Sequence, residues 1–436
     1  MAAPANSVTD VLVLGAGLAG LSAHLHLRRA GVTLRHVERL ATAGGHAITI
    51  EEEGFRFDRT GHLLHLRDAG MRALVLGLLG ADHLVVERRS RVYSHGVYTR
   101  YPFQANTFGL PPAVAYECVM GFLEAHFASD RPAPATFEDF ITLHFGRGIA
   151  RHFMIPYNER LWGVHPREMT TAWCDRFVPR PSLEDVIAGA VGRNDRELGY
   201  NAQFVYPRLG IGALSEALAA ACGPIELSRA PTAIDWRARR ASFEGETIVY
   251  ERLLSTVPLD VLGRLLSDMP GEVADAFAKL RCTELYYLDV ALDAPLARDL
   301  HWVYVPEPQF PFYRVGCYSH FSPAMAPPGK AGLYVELADR RPPAMTTLVP
   351  EITAHLVAMG LVARPGDVRF MRLRHIEHAY VVYDRDRESA LATIMPFLER
   401  AGITTTGRYG GWNYSSMEDA LLFGRDAAAR LAGATA

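Results

Sequence analysis

The chain has 436 residues, 49% of them apolar and 21% charged, with a formal net charge of −3 at pH 7. This length and balance suit a globular protein of two or three domains and give no reason to expect nucleic acid or an anionic membrane surface as partner. No uninterrupted apolar run reaches the length of a membrane span, and the first residues lack the basic start and apolar core of a signal peptide, so the cytoplasm is the expected compartment. The cysteines, at positions 118, 174, 222, 282 and 317, form no C-x-x-C pair. Neither a zinc site nor a disulfide framework follows, and they read as small buried side chains. Lysine occurs only at 279 and 330, which leaves few candidates for a Schiff base.

The first strand-like stretch, Val11-Leu-Val-Leu14, runs into Gly15-Ala-Gly17-Leu18-Ala19-Gly20 and then into a helical pattern as far as Ala30. Gly15 permits a tight turn, Gly17 lets the backbone approach a pyrophosphate, and Gly20 lets the helix pack closely on the strand. The start of that helix offers N–H groups and its dipole to phosphate. A second strand over 33–37 ends in Glu38, about 20 residues on, where a carboxylate takes ribose hydroxyls. A glycine-rich turn in an unrelated α/β protein would leave Glu38 unexplained.

A second glycine pair, Gly44-Gly45, followed by His46, closes this unit. A hairpin is expected from residues 47–50 and 54–58, leading to Thr60-Gly61-His62-Leu63. A histidine there either faces a cofactor ring or is a hydrogen-bonded loop residue. A helix and short strand over 67–86 precede a hairpin over 91–94 and 97–101 that ends at Pro102. Helical spacing then dominates from Pro112 to about residue 195, with Thr136 and Asp139 placed as a capping box. This insertion holds Pro156-Tyr157-Asn158 with Trp162, and Ala172-Trp-Cys-Asp-Arg176. Such groups bind a base, a ribose and a phosphate, although any one of them alone reads first as bundle packing or a solvated face. Residues 204–258 return to α/β character, and alternating strands are expected at 286–292, 301–305, 312–318, 332–337 and around 374–380. A helix over 388–401 leads to Gly407-Arg408-Tyr-Gly-Gly411, a second turn before a helix start and a second place for phosphate or a ribityl chain.

Taken together these segments resemble the flavin-dependent UDP-galactopyranose mutases over nearly the whole chain. The likeness runs through Gly15–Gly20, Gly44-Gly45, Gly61-His62, Tyr101-Pro-Phe-Gln104, Pro156-Tyr-Asn158 with Trp162, and Ala172–Arg176. It continues through Tyr200–Phe204 with Pro207, His301-Trp-Val-Tyr304, Pro311-Phe-Tyr-Arg314, His378-Ala-Tyr380 and Gly407–Tyr414. The glycine motifs are shared with amine oxidases; the Tyr-Pro-Phe-Gln, Pro-Tyr-Asn and Phe-Tyr-Arg segments are more specific. The resemblance implies an α/β fold: a Rossmann-type FAD-binding domain with an interleaved helical insertion and an antiparallel β-sheet domain over the flavin. By chain order these are expected at 1–86, 205–270 and 395–436 (FAD), 106–200 (nucleotide-sugar insertion), and 87–105 with 271–394 (sheet).

The implied reaction converts a nucleotide-diphosphate sugar between pyranose and furanose with no net redox change. In it the N5 of reduced FAD attacks the anomeric carbon and forms a flavin–sugar adduct. NADH or NADPH is a candidate reductant, the substrate carries UDP or dTDP, and a homo-oligomer is a candidate assembly. By position, Arg176 and Arg314 match the diphosphate arginines, and Tyr304, Tyr380 and Tyr414 the tyrosines that reach the same phosphates. Tyr101, Gln104, Tyr157, Asn158 and Trp162 match the nucleoside side and neighbouring pocket, and Asn201 an asparagine that touches substrate. The cofactor falls to Gly15, Gly17, Leu18, Ala19, Gly20, Glu38, Arg39, Gly45, His46, Gly61, His62, Arg408, Tyr414 and Met417. His62, Arg176 and Arg314 are the expected catalytic side chains.

His65, His46, the Arg208-Leu-Gly210 turn and Asn413 depart from the pattern, all on the flavin and sugar side, which suggests a kept nucleotide site and a different sugar. Two other functions share the glycine motifs. An oxidase or desaturase of the amine-oxidase type would give Arg176 and Arg314 no anionic substrate to meet, and a non-catalytic binding protein would hold no flavin.

Overall fold

Val11, Leu12, Val13 and Leu14 are each at most 1% exposed, as a strand covered on both faces must be. In the computed structural model, which describes residues 5–193 and 202–433, they end the strand Ala5–Leu14 at the centre of the first sheet. This strand pairs in parallel with Leu34–Val37 on one side and Glu246–Ser255 on the other. The sheet continues antiparallel through Arg240–Phe243 to Ala233–Asp235, while Ile403–Thr405 adds in parallel beside Leu253–Ser255.

The second sheet has the strand order Val368–Val381, Cys282–Leu292, Ala331–Leu337, Phe312–Cys317, Trp302–Tyr304, Ser90–Ser94 and Val97–Arg100. It is antiparallel except for Trp302–Tyr304 against Ser90–Ser94, which run parallel. Residues so far apart in sequence meet without a hairpin turn, so nothing in the connection forces the antiparallel sense expected from sequence. The hairpin Thr49–Glu52 and Phe55–Asp58 stands apart, as does the antiparallel pair His83–Glu87 and Gln203–Pro207.

The insertion is helical, as its spacing predicts. Pro112–His126 packs on Phe137–Ile149, whose N-terminus carries the Thr136–Asp139 capping box. A Cβ at Gly146 would fall 1.9 Å from the Gly121 carbonyl oxygen, so these two helices cross at backbone distance. The short helix Ile155–Trp162 follows and ends at Gly163 in the left-handed region. Its residues share a core with Leu285, Tyr313, Tyr380 and Tyr383 of the second sheet and the loop beyond it.

A stretch placed by chain order with the second sheet, and the start of a helix divided between the two parts at residue 394, pack on the first. The helices Gly271–Ala278 and Arg385–Arg400 bury Val273, Phe277, Ile394 and Phe397 against Leu12 and Leu253. An apolar helix face does not disclose in sequence which of two sheets will cover it. Among the described residues no helix is long and apolar enough to cross a membrane.

The first helix, Leu18–Arg29, and the last, Met417–Gly433, pack side by side. A Cβ at Gly424 would lie 2.2 Å from the Ala19 carbonyl oxygen and 2.9 Å from the Ala23 nitrogen. Both neighbours are backbone and cannot rotate away, so Gly424→Ala is expected to cost about 1–3 kcal/mol. Urea unfolding measures this, and a loss below about 0.5 kcal/mol, the scatter of ordinary surface changes, would mean that the helices tolerate a side chain at the crossing.

Candidate active site

The glycine turn is built for close approach. Gly15 has φ +93, and a Cβ on Gly20 would fall 1.9 Å from the Gly15 oxygen. Gly17 caps the first helix with no side-chain hydrogen bond, leaving the N–H groups of its first turn, Leu18 and Ala19 included, without an intrahelical acceptor. The second glycine pair lies directly on this turn: the Gly44 N–H donates to the Ala16 carbonyl at 2.7 Å, and a Cβ on Gly45 would sit 3.1 Å from the Gly17 Cα. Glu38 is buried, and its carboxylate accepts from the Ala16 N–H at 2.7 Å and the Leu40 N–H at 2.8 Å. Each oxygen keeps a lone pair for a ribose hydroxyl. Arg39 instead lies on the surface, 3.9 Å from Glu377 with its side chain 67% exposed.

A histidine pair supports the turn from below. His36 Nε2 lies 3.0 Å from the Gly15 carbonyl oxygen, and its Nδ1 lies 3.0 Å from His24 Nδ1. A carbonyl only accepts, so His36 donates from Nε2 and His24 donates to His36 Nδ1. Burial pulls both imidazoles down to about 4.

The closing motif meets the same place from the other end of the chain. Gly407 has φ +84, and a Cβ there would lie 2.8 Å from the Ala19 Cβ. Met417 opens the last helix and packs in a cluster with Leu18 and Leu21. Arg408 donates to the Ser415 carbonyl at 2.8 Å and the Ala379 carbonyl at 3.2 Å, while its buried Nε has no acceptor among the described residues. The rings of Tyr414, Tyr380 and Tyr409 surround its guanidinium at 4.7, 5.6 and 5.7 Å. Backbone carbonyls and aromatic faces thus hold this cation with no carboxylate among the described residues, an arrangement that favours an anionic guest.

His62 and His46 sit in the field of this arginine. Burial, then Arg408 and Arg314, pull His62 down to about 4. Burial, then Arg59, His62 and Arg408, pull His46 down to about 3. His46 Nε2 lies 3.2 Å from the His378 carbonyl oxygen and so donates to it. Both rings are neutral at neutral pH. Gly61 makes room for the second sheet, since a Cβ there would fall 2.5 Å from the Tyr334 hydroxyl. These features fit a flavin dinucleotide, which the two glycine turns, Glu38, the histidines and Arg408 would hold.

On the second sheet, strand register lines up a row of polar side chains. Tyr304 pairs with Arg314, Arg314 with Glu336, and Glu336 with Tyr287, in one row across neighbouring strands. Glu336 is fully buried, and Arg314 grips it with a two-pronged bond, Nε to Oε2 at 2.9 Å and Nη2 to Oε1 at 2.5 Å. Burial pulls the Arg314 guanidinium down, but the facing carboxylate more than offsets it and the net shift is upward. Tyr157 stands edge-on to Tyr304 with ring centres 5.3 Å apart, and Tyr101 leans on Tyr304 at 4.9 Å. Tyr380 and Tyr414 both pack on Trp162, at 5.5 and 5.3 Å. Burial keeps the phenols of Tyr157, Tyr304 and Tyr380 protonated, the last pushed up to about 12, so each remains a hydrogen-bond donor.

Arg176, on the turn Cys174–Phe177, reaches the mouth of a cleft lined also by His65, Arg67, Phe177, Tyr414, Ser415 and Ser416. The structure therefore gathers Arg314, Arg408, Tyr157, Tyr304, Tyr380 and Tyr414, with Arg176 at the edge. Other candidates are held differently. Trp162 is fully buried, Gln104 donates to the Pro179 carbonyl at 3.0 Å, and Asn158 donates to the Met154 carbonyl at 2.7 Å. Asn201 lies outside the described residues. Sequence reading overlooked Glu336, Asp419 and Arg67. Two signals were available: Glu336 is an acid inside the otherwise apolar run Gly332–Leu337, and Asp419 stands at capping-box spacing from Ser416.

Residues 18–432 match the profile of the flavin-containing amine oxidoreductases, and the chain belongs to that family of flavoenzymes. Within it, the structure is similar to that of reduced UDP-galactopyranose mutase, with a TM-score of 0.91 and 27% identity over 98% of this chain and 96% of that one. The resemblance seen in sequence thus holds through nearly the whole fold. Cyclohexylamine oxidase from Brevibacterium oxydans IH-35A shares the fold at a TM-score of 0.72, with 16% identity over 98% of this chain and 99% of that one. A phytoene dehydrogenase of Streptomyces griseus is 41% identical over 87 residues, a match spanning 20% of this chain and 17% of that protein.

The buried histidines make the apoprotein sensitive to acid. An imidazole held at about 4 in the folded chain, against an ordinary 6.5, stays neutral while the unfolded chain takes up a proton. Stability therefore falls as pH drops from 6.5 toward 4, by about 1.4 kcal/mol per pH unit for each such group. His62→Asn should flatten the dependence by about one proton in urea unfolding at pH 6.5, 5.5 and 4.5. Parallel curves for the two proteins would show that His62 titrates as freely folded as unfolded.

Proposed function

We propose that this chain is an FAD-dependent mutase interconverting the pyranose and furanose forms of a nucleotide-diphosphate sugar, UDP-galactopyranose or a related hexose on UDP or dTDP. The observation that carries the reading is the concentration of guanidinium groups on the substrate side. Arg314, Arg408 and Arg176 stand among phenolic donors, and the carboxylates near them are already engaged: Glu336 by Arg314, and Asp419 by Arg176. A diphosphate finds forked donors there. A protonated amine, the substrate that the family's oxidases would take, meets Arg408 and carboxylates already engaged by Arg314 and Arg176 instead.

Bound reduced FAD would supply the nucleophile at the anomeric carbon and recover its electrons at the end of the cycle. The side chains would do the remainder. Arg314 keeps N–H groups beyond those on Glu336, and with Tyr304 and Tyr380 it would hold the diphosphate as charge develops on departure. Arg408, partly buried and without an ion pair among the described residues, would favour the anionic, reduced cofactor. His62 would stay neutral and act as a positioned donor or acceptor beside the ring. NADH or NADPH would deliver the reducing equivalents.

The protein is expected to purify yellow and to act only after reduction. Anaerobic incubation of dithionite-reduced enzyme with UDP- and dTDP-sugars should give furanose signals by NMR, without stoichiometric use of reductant or oxygen. Substrate-dependent peroxide from an amine, with no furanose formed, would establish the oxidase reading. Arg314→Ala alone would strand the buried Glu336, so the informative variant is Arg314→Ala with Glu336→Gln. It should fold, yet lose about 10²–10³-fold in turnover, the cost of one oriented charge-stabilising group. Turnover near that of the unmodified enzyme would place the diphosphate elsewhere.

A further inference from the structure

Asp419 does two jobs at the start of the last helix. Its Oδ2 accepts from the Ser416 N–H and hydroxyl, each at 2.8 Å, while the Ser416 oxygen accepts from the Asp419 N–H at 3.2 Å. This reciprocal cap fixes the carboxylate rigidly. Its Oδ1 faces the other way and accepts from Arg176 Nη2, across 243 residues of sequence, with Arg67 Nη2 4.0 Å away. Asp419 is buried, whereas the Arg176 side chain is 47% exposed and stands on the four-residue turn Cys174–Phe177.

We propose that Asp419 is a positioning residue for substrate: it holds Arg176 at the cleft mouth so that the remaining guanidinium N–H groups meet the diphosphate. This rests on the nucleotide-diphosphate reading of the site. The alternative, in which Asp419 competes with the ligand for Arg176, is disfavoured by burial. Releasing Arg176 would leave an enclosed carboxylate without its hydrogen-bonded cation and with only Arg67 Nη2 at 4.0 Å, a costly state. Arg176 instead stays on Asp419 and bridges it to the incoming phosphate. Without that tether, a long side chain on a short turn must be ordered anew at each binding event, which lowers affinity. The same bond ties the cofactor-closing motif to the helical insertion, so an organised closing motif places an arginine of a separate unit.

The test uses the FAD-loaded protein and two probes, UDP and uridine, followed by titration calorimetry. Asp419→Asn should weaken UDP about tenfold, as loss of a charged group at a binding site does, and leave uridine unchanged because it lacks the diphosphate. In an Arg176→Ala background, Asp419→Asn should add no further loss for UDP. Unchanged UDP affinity, a gain in UDP affinity, or parallel loss of UDP and uridine would each overturn the proposal. Should Asp419→Asn fail to fold, Asp419→Glu, which keeps the charge and displaces the carboxylate, is judged by the same UDP-to-uridine comparison. Failure of the unmodified protein to bind UDP would overturn the nucleotide reading and this inference with it, whereas normal UDP binding with an indifferent Asp419→Asn would overturn this inference alone.

Discussion

The close backbone packing of the first and last helices is the constraint on which the site depends. Gly407 and Gly424 each stand where a Cβ would meet Ala19 of the first helix, at 2.8 and 2.2 Å, and a Cβ on Gly20 would close the first turn on its own Gly15 oxygen at 1.9 Å. Because no side chain intervenes, the glycine turn at residues 15–20 and the motif at 407–419 lie against one another, although nearly the whole chain separates them. The first turn offers backbone N–H groups. The closing motif brings Arg408, Tyr414 and the cap of the last helix. Arg408 gathers the ring of tyrosines, and Asp419 carries the geometry onward to Arg176 in the insertion. A shift at the helix crossing would therefore be felt at the cleft mouth.

Charge decides what such a scaffold can accept. The carboxylates around the cleft are withdrawn from it: Glu336 lies on Arg314, Glu418 accepts from the Asp68 N–H at 2.8 Å, and Asp419 is held by Ser416 and Arg176. The nearby histidines are kept neutral by burial and by the arginines. What faces inward is a set of guanidinium and phenol donors, suited to phosphate oxygens and to a reduced, anionic flavin. The same fold in cyclohexylamine oxidase shows that architecture alone does not choose the reaction. On the mutase reading proposed above, the side chains carried by the second sheet and the insertion would make the difference.

Much of this could be read from the amino-acid sequence, because the signals are local. The Gly15–Gly20 turn between a strand and a helix, Glu38 after the second strand, the Thr136–Asp139 cap and the alternating strands after residue 285 all depend on neighbours within a few residues. A resemblance carried by short, specific segments added the family and the candidate arginines and tyrosines. Those segments also indicated three interleaved parts.

What the sequence by itself determined is thus the class of cofactor cradle, the type of each main element and the chemical character of the site. Only the tertiary structure decided which helices cover which sheet, the parallel pairing of Trp302–Tyr304 with Ser90–Ser94, and the register that sets Tyr304, Arg314 and Glu336 in one row. It also decided that Trp162 is fully buried, that Gln104 and Asn158 each donate to a backbone carbonyl, and that Asp419 is the partner of Arg176. The physical reason is common to all of these. Burial and pairing are properties of surfaces that meet across long stretches of chain, and a side chain's partner there is settled by packing and desolvation rather than by the residues beside it.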